Sequence, residues 1–383
     1  MQQNIHLEIP EHLRNKDYSL AVRRLLDLSY DTGDLSLMKE ATRFSREWTS
    51  QLAQQQETEP AEAFFTNAEL LLSKATDFLQ HKEVASTKLL HAENISKQYS
   101  KGVFKLNPIS LQISSGDIHG VVGENGNGKT TLLRCLSGQL LPDNGSINYS
   151  LLQKPDYYNI KNYVAFIPQR IPRWYGMLKD NLHFSAAIAG IHGETNTVMV
   201  EFMLERLSLS SYASLNWNQI SSGYRTRFEL ARILLQKPQL LILDEPLANL
   251  DIKAQQTILT DLKYMTAWTN HPMAVILSSQ QLHEVEKVAD TVLMIRNGTC
   301  INHHTTTADY KPDSTIIEIE TLTEREAIAN ALATVQTDIR FNGGFYTISS
   351  PDADAQQLIA LLISNKIPVT YYRDITHSTK RFF

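Results

Sequence analysis

The sequence predicts an α/β fold, in which a sheet with parallel strands and a glycine-rich loop lie between an N-terminal helical region and a small C-terminal α+β unit. Three observations carry this. Short apolar runs alternate with helical stretches between residues 91 and 309. A glycine-rich loop ending in Lys129-Thr130 lies between a strand pattern and a helix pattern. An apolar run, Gln239–Leu243, ends on the acids Asp244 and Glu245.

A chain of 383 residues is too long for one ordinary domain, so two or three are expected. With 42% hydrophobic and 20% charged residues it has the composition of a globular protein. A net charge of −5 and the absence of Lys/Arg clusters give no footprint for nucleic acid, and none is expected as a partner. Two cysteines, Cys135 and Cys300, make no disulfide framework and fit a reducing compartment. The N-terminus lacks the pattern of a signal peptide. No apolar run approaches the ~20 residues needed to cross a bilayer. The expectation is a cytoplasmic protein that reaches a membrane only through another chain.

The N-terminal region, taken as 1–86, is polar and mildly acidic. Helices are expected around Ser19–Leu28 and Leu35–Leu52. Within Pro60–Ser86, Phe64, Ala68, Leu71, Ala75, Phe78 and Leu79 recur at helical spacing, with Pro60 near the first turn. The run Gln54–Gln56 reads as a linker. The central unit is bounded at 89–305. Its strands are expected at Val121–Val122, Leu240–Leu243, Ala274–Leu277 and Val292–Ile295. Residues 310–383 read β-α-β-β-α-β, with a hairpin at Gly343-Gly344.

The loop Gly123-Glu124-Asn125-Gly126-Asn127-Gly128-Lys129-Thr130 matches G-x-x-x-x-G-K-[ST]. Glycines let the backbone turn tightly and aim its N–H groups inward. The helix that follows, through Thr131, presents its positive end to the same point. Lys129 supplies a point charge for β- and γ-phosphates, and the Thr130 hydroxyl is a ligand for Mg²⁺. Asp244 follows Lys129 by 115 residues (244 − 129). Carboxylates at the C-terminal end of a buried strand fall beside the phosphate loop. Asp244 suits Mg²⁺, through water, and Glu245 suits a general base for the attacking water.

With these motifs in this order, residues 90–302 resemble the ATP-binding subunit of an ABC transporter. The resemblance implies a P-loop ATP-binding cassette with a mixed sheet and a helical subdomain at about 174–219. It places Tyr99 at the aromatic that stacks on adenine, a contact worth about 1 kcal/mol. Phe166-Ile-Pro-Gln169 resembles the Q-loop, whose Gln touches Mg²⁺ and signals toward the transmembrane partner. Ala248-Asn-Leu-Asp251 resembles the D-loop. The family signature L-S-G-G-Q is replaced by Ile220-Ser221-Ser222-Gly223-Tyr224, which keeps Ser221 and Gly223 as phosphate contacts but loses one glycine and gains bulk. The family's usual His is replaced by Gln280, an amide that donates but cannot become an imidazolium. Loss of one such contact costs about ten- to a thousandfold in rate, so ATP binding is expected intact and hydrolysis reduced. His283, three residues later, reads as a surface residue. The C-terminal region resembles the short α/β tail of exporter-type subunits that ends in S-L-E-x-x-F. Ser378 and Phe383 keep its spacing without the Leu-Glu pair.

Cys135 reads as a small core residue, and the consecutive His303 and His304 point to opposite faces of an extended segment. The function expected is an ATP-binding subunit that hydrolyses Mg-ATP between two copies of the chain, head to tail, and drives a separate transmembrane permease. The alternative is a soluble ATP-gated clamp with slow turnover, motivated by Gln280, the altered signature and the N-terminal helices. An inert scaffold is disfavoured by the intact Lys129, Thr130, Asp244 and Glu245. The transported substrate has no signature here.

Overall fold

The computed structural model describes residues 5–54, 60–79, 86–99, 104–150, 152, 156–248, 250–305, 314–342 and 344–376. Gln55, Gln56, Asn249, Gly343 and the Ser378–Phe383 motif lie outside them.

Four helices open the chain: α1 (Ile5–Arg14), α2 (Tyr18–Thr32), α3 (Leu35–Gln54) and α4 (Glu62–Leu79). Asp17 caps α2 by accepting from the Leu20 N–H, and Gly33 ends it at φ +74°. The apolar stripe of α4 is buried through Phe64, Ala68, Leu71 and Ala75. Phe78, expected on that stripe, is 54% exposed in the last turn. Pro60 lies ahead of the helix, and α1 carries Pro10 inside it, which concealed it in the sequence.

The central unit runs β1 (Lys88–Gln98), β2 (Lys105–Ser114), β3 (Ile118–Val122), α5 (Lys129–Leu136), β4 (Asn144–Tyr149), α6 (Tyr157–Tyr163), β5 (Val164–Ile167), α7 (Leu178–Ile188), α8 (Gly193–Arg206), α9 (Ser222–Leu234), β6 (Leu240–Leu243), α10 (Ile252–Thr266), β7 (Ala274–Ser279), α11 (Leu282–Val285), β8 (Thr291–Arg296) and β9 (Thr299–Thr305). The main sheet has the order β5-β6-β7-β3-β8-β9, parallel throughout except for β9. A second, antiparallel sheet has the order β2-β1-β4. Strands β3, β6 and β7 are buried at every residue, as strands covered on both faces must be. Their residues alternate between two cores. Val122, Leu241, Leu243, Val275 and Leu277 pack toward α7–α10, whereas Val121, Leu240, Ile242 and Ile276 pack toward α5 and the antiparallel sheet.

The N-terminal helices share the first of these cores. Leu26 and Tyr30 of α2, with Met38 and Ala41 of α3, join α8, α9 and Trp268 in one cluster. Tyr30 lies 4.6 Å from the Trp268 ring and 6.0 Å from that of Phe202, and its hydroxyl donates to the Leu234 carbonyl. The Asp31 carboxylate accepts from the backbone N–H groups of Thr269 and Asn270. So α2 spans from the helical subdomain to the loop before β7.

The chain closes with β10 (Thr315–Glu320), α12 (Arg325–Ala331), β11 (Asp338–Asn342), β12 (Phe345–Ser350), α13 (Ala355–Ser364) and β13 (Tyr371–Asp374). Its antiparallel sheet, order β11-β12-β10-β13, has its own core around Ile317, Ile319, Ile348 and Leu358. Arg373 meets Glu286, just past α11, at 3.5 Å.

Candidate functional site

The site forms where β3, β6 and β7 end side by side. The loop after β3 is compact because two glycines permit it. A Cβ on Gly123 would fall 2.3 Å from the Ile295 carbonyl oxygen, and Gly128, at φ +107°, comes so close to Phe104 that a Cβ would fall 2.6 Å from its ring. Asn127 ties the loop to the β8–β9 turn: its side-chain oxygen accepts from the Asn297 N–H, and its carbonyl accepts from the Gly298 N–H. Helix α5 starts at Lys129 with no side chain capping it, so its first-turn N–H groups have no carbonyl within the helix to donate to. Glu124, Asn125 and Gly126 form the exposed crown.

Lys129 is 4% exposed. Its ammonium donates to the carbonyls of Gly123 (2.6 Å) and Glu124 (3.2 Å) and pairs with Glu245 at 3.1 Å. The Thr130 hydroxyl donates to Asp244 at 2.8 Å. The second oxygen of Asp244 accepts from the Ser278 hydroxyl at 2.9 Å, and that same hydroxyl accepts from the Glu245 N–H at 2.9 Å. Glu245 sits at φ +50°, a left-handed conformation that side chains with a Cβ rarely adopt. One of its oxygens accepts from both Gln169 (2.6 Å) and Gln280 (2.9 Å), while the other faces Lys129. Four segments separate in sequence thus meet in one hydrogen-bonded cluster. It concentrates a buried cation, two buried carboxylates, two hydroxyls and two amides. The Thr130 hydroxyl beside Asp244, with the Gln169 amide nearby, is a set of oxygen donors that suits a hard divalent cation.

Tyr99 is 41% exposed, with its hydroxyl 3.4 Å from that of Thr131. Ser221 and Gly223 are not brought to this cluster. They lie at the start of α9 and line a separate hollow of about 590 Å³ with Arg23, Leu250, Asp251 and Lys253. Tyr224 packs on Tyr212 with ring centroids 3.9 Å apart, and the hydrogen bond its hydroxyl donates to Tyr212 pushes its pKa up. His283 is exposed on α11. Cys135 is buried in the core, and burial raises its thiol to about 11. Ser278 escaped the sequence reading because a serine inside an apolar strand carries no signal of its own. Only the pairing of β7 beside β6 shows it between the two acids.

Residues 106–248 match the family described as ABC transporter. The chain is 34% identical over 214 residues to the SkfA peptide export ATP-binding protein SkfE of Bacillus subtilis, covering 55% of this chain and 86% of that protein. The chain belongs to the ATP-binding subunits of ABC transporters. It is also 30% identical over 234 residues to the phosphonates import ATP-binding protein PhnC of Bdellovibrio bacteriovorus, covering 57% of this chain and 88% of that one. Among solved structures, the cassette cbiO1 from Clostridium perfringens, part of the transporter complex cbiONQ, has a TM-score of 0.51 at 24% identity, with 57% of this chain and 89% of that one covered. A dimeric post-hydrolysis state of the cassette MJ0796, bound to ADP and phosphate, has a TM-score of 0.51 at 19% identity, with 57% and 98% covered. Both share the fold. As a member of this family the chain binds and hydrolyses ATP. The family match includes neither α1–α4 nor the C-terminal unit. Among the described residues, no helix is long and apolar enough to cross a membrane.

Proposed function

We propose that the cluster at Lys129 is the ATP site, and that two copies of the chain hydrolyse Mg-ATP between them to drive a separate membrane permease. The observation that carries this reading is the convergence on Glu245. The buried lysine of the phosphate loop and the amides of Gln169 and Gln280 all meet one carboxylate at the end of β6.

The loop 123–131 cradles the triphosphate with its N–H groups and the start of α5. Lys129 exchanges its partner Glu245 for the β- and γ-phosphates, and Tyr99 receives the adenine ring. Thr130, Asp244 and Gln169 hold Mg²⁺, which when bound neutralises developing charge on the phosphates. Glu245, freed from Lys129, accepts a proton from the attacking water. Gln280 holds the Glu245 carboxylate from the side, where the family resemblance implies an imidazole. Ser221 and Gly223 stand away from Lys129 within one chain, so they meet phosphate only across a second copy turned head to tail. The Asp251 end of the D-loop lines the same hollow. Tyr175 (78% exposed), Phe184 (67%) and Ile188 (70%), on and just before α7, offer the apolar surface for the permease. Such a subunit is a peripheral protein at the inner face of the membrane.

Light scattering tests the dimer. With Mg-ATP, Glu245→Gln protein is expected to double its mass, and Ser221→Arg in the same background to stay monomeric. A Glu245→Gln protein that binds ATP yet keeps the monomer mass would overturn the head-to-tail reading.

A further inference from the structure

We infer that Ser278 is a positioning residue for hydrolysis, setting both acids of the site through one buried hydroxyl. The inference rests on the assignment of Asp244 and Glu245 above. It goes further by making their geometry depend on a residue of the neighbouring strand.

Ser278 lies on β7, fully buried, directly after the apolar run from Ala274 to Leu277. A hydroxyl without partners there would be costly. It has two: it donates to Asp244 and accepts from the Glu245 N–H, each at 2.9 Å. An ordinary core serine satisfies itself on a nearby carbonyl of its own segment. This one reaches across to β6, and both its partners are the acids on which the chemistry depends.

Each bond does separate work. Asp244 is held on two sides, by Thr130 at one oxygen and Ser278 at the other. A carboxylate fixed at both oxygens cannot rotate, and it keeps the oxygen beside Thr130 facing the phosphate loop. The second bond holds the Glu245 backbone in its left-handed conformation at φ +50°. That conformation turns the chain sharply after Asp244 and aims the Glu245 side chain at Lys129, Gln169 and Gln280. Without the hydroxyl, the Glu245 N–H is left buried without its acceptor, and the backbone relaxes toward a conformation that points the carboxylate elsewhere.

The test compares Ser278→Ala, Ser278→Thr and Ser278→Cys with wild type and Glu245→Gln, by steady-state ATPase assay and by ATP titration with and without Mg²⁺. In Ser278→Ala, kcat is expected to fall about ten- to a hundredfold while ATP affinity in EDTA changes less than about twofold. The gain in ATP affinity on adding Mg²⁺ shrinks, because Asp244 has lost one of its tethers. Ser278→Thr restores the hydroxyl and brings kcat to within about threefold of wild type. If the added methyl prevents folding, Ser278→Cys, a weaker donor of similar volume, is expected to fall between Ala and wild type. A folded Ser278→Ala with kcat within about twofold of wild type overturns the inference, as does a Thr or Cys variant no faster than Ala. Glu245→Gln separates this failure from that of the parent reading: if that variant still turns over ATP, the base is misassigned whatever Ser278 does.

Discussion

Replacing Asp27 by alanine is expected to destabilise the cassette itself, although Asp27 lies on an N-terminal helix outside the family match. Asp27 is 1% exposed and neutralises two arginines as buried as itself. It pairs with Arg24 on its own helix, accepts from the Nε of Arg206 of α8 at 2.8 Å, and forms an ion pair with the same guanidinium at 2.7 Å. Arg24 has little other support: it stacks over the Tyr264 ring, 3.2 Å from the centroid, while its Nε and one Nη have no hydrogen-bond partner among the described residues. Desolvated charges tolerate the loss of a partner poorly, and removing one side of a buried pair typically costs about 3–5 kcal/mol. In a unit of this size each kcal/mol lowers Tm by about 2–4 °C, so a fall of at least about 6 °C is expected. Lys39→Ala is the control, since Lys39 pairs with Glu194 at an exposed site (51% and 79% exposed) where such pairs contribute about 0–1 kcal/mol. Scanning calorimetry of the full chain reads both. If Asp27→Ala melted within about 1 °C of wild type, α2 would not be part of the cassette's core, and the reasoning from burial would fail.

Three further outcomes follow from the same geometry. Gly298→Ala places a Cβ 1.9 Å from the Lys105 carbonyl at φ +75°, and Gly298 holds the phosphate loop through Asn127. A loss of about 2–4 kcal/mol in stability, with weaker ATP binding, is expected by urea unfolding and ATP titration. Lys129→Ala removes the only lysine that contacts Glu245 among the described residues, and should abolish measurable ATP binding in a titration while the fold survives by circular dichroism. Burial raises the Cys135 thiol to about 11, so at pH 8 only about one molecule in a thousand carries the thiolate. Its labelling by a thiol reagent should stay slow until the pH approaches that value, with Cys300 reacting first. Equal rates at the two cysteines would contradict the burial argument.

Much of the central fold was legible because its signals are local. Gly123–Thr130 has to turn tightly before a helix, and Leu240–Leu243 is apolar at every position because both faces of its strand are covered. The C-terminal β-α-β-β-α-β order was readable from alternation and from the glycines of its hairpin. What stayed hidden depends on contacts between distant segments. Nothing in Ser19–Leu28 reveals that Leu26 and Tyr30 complete the core of the helical subdomain. Proline within α1 masked a short helix. At the site, Lys129, Asp244, Glu245, Gln169 and Gln280 each stood out by motif. That Gln280 donates to Glu245 depends on which strand lies beside which, and so does the bridging role of Ser278.

Steady-state ATPase activity of the purified chain, measured beside Glu245→Gln and Gln280→His, tests the central claim most directly. The account predicts turnover in wild type, a loss of about a hundredfold or more in Glu245→Gln with ATP still bound, and a faster Gln280→His. Turnover that survives in Glu245→Gln would contradict it, and would place the base somewhere other than the end of β6.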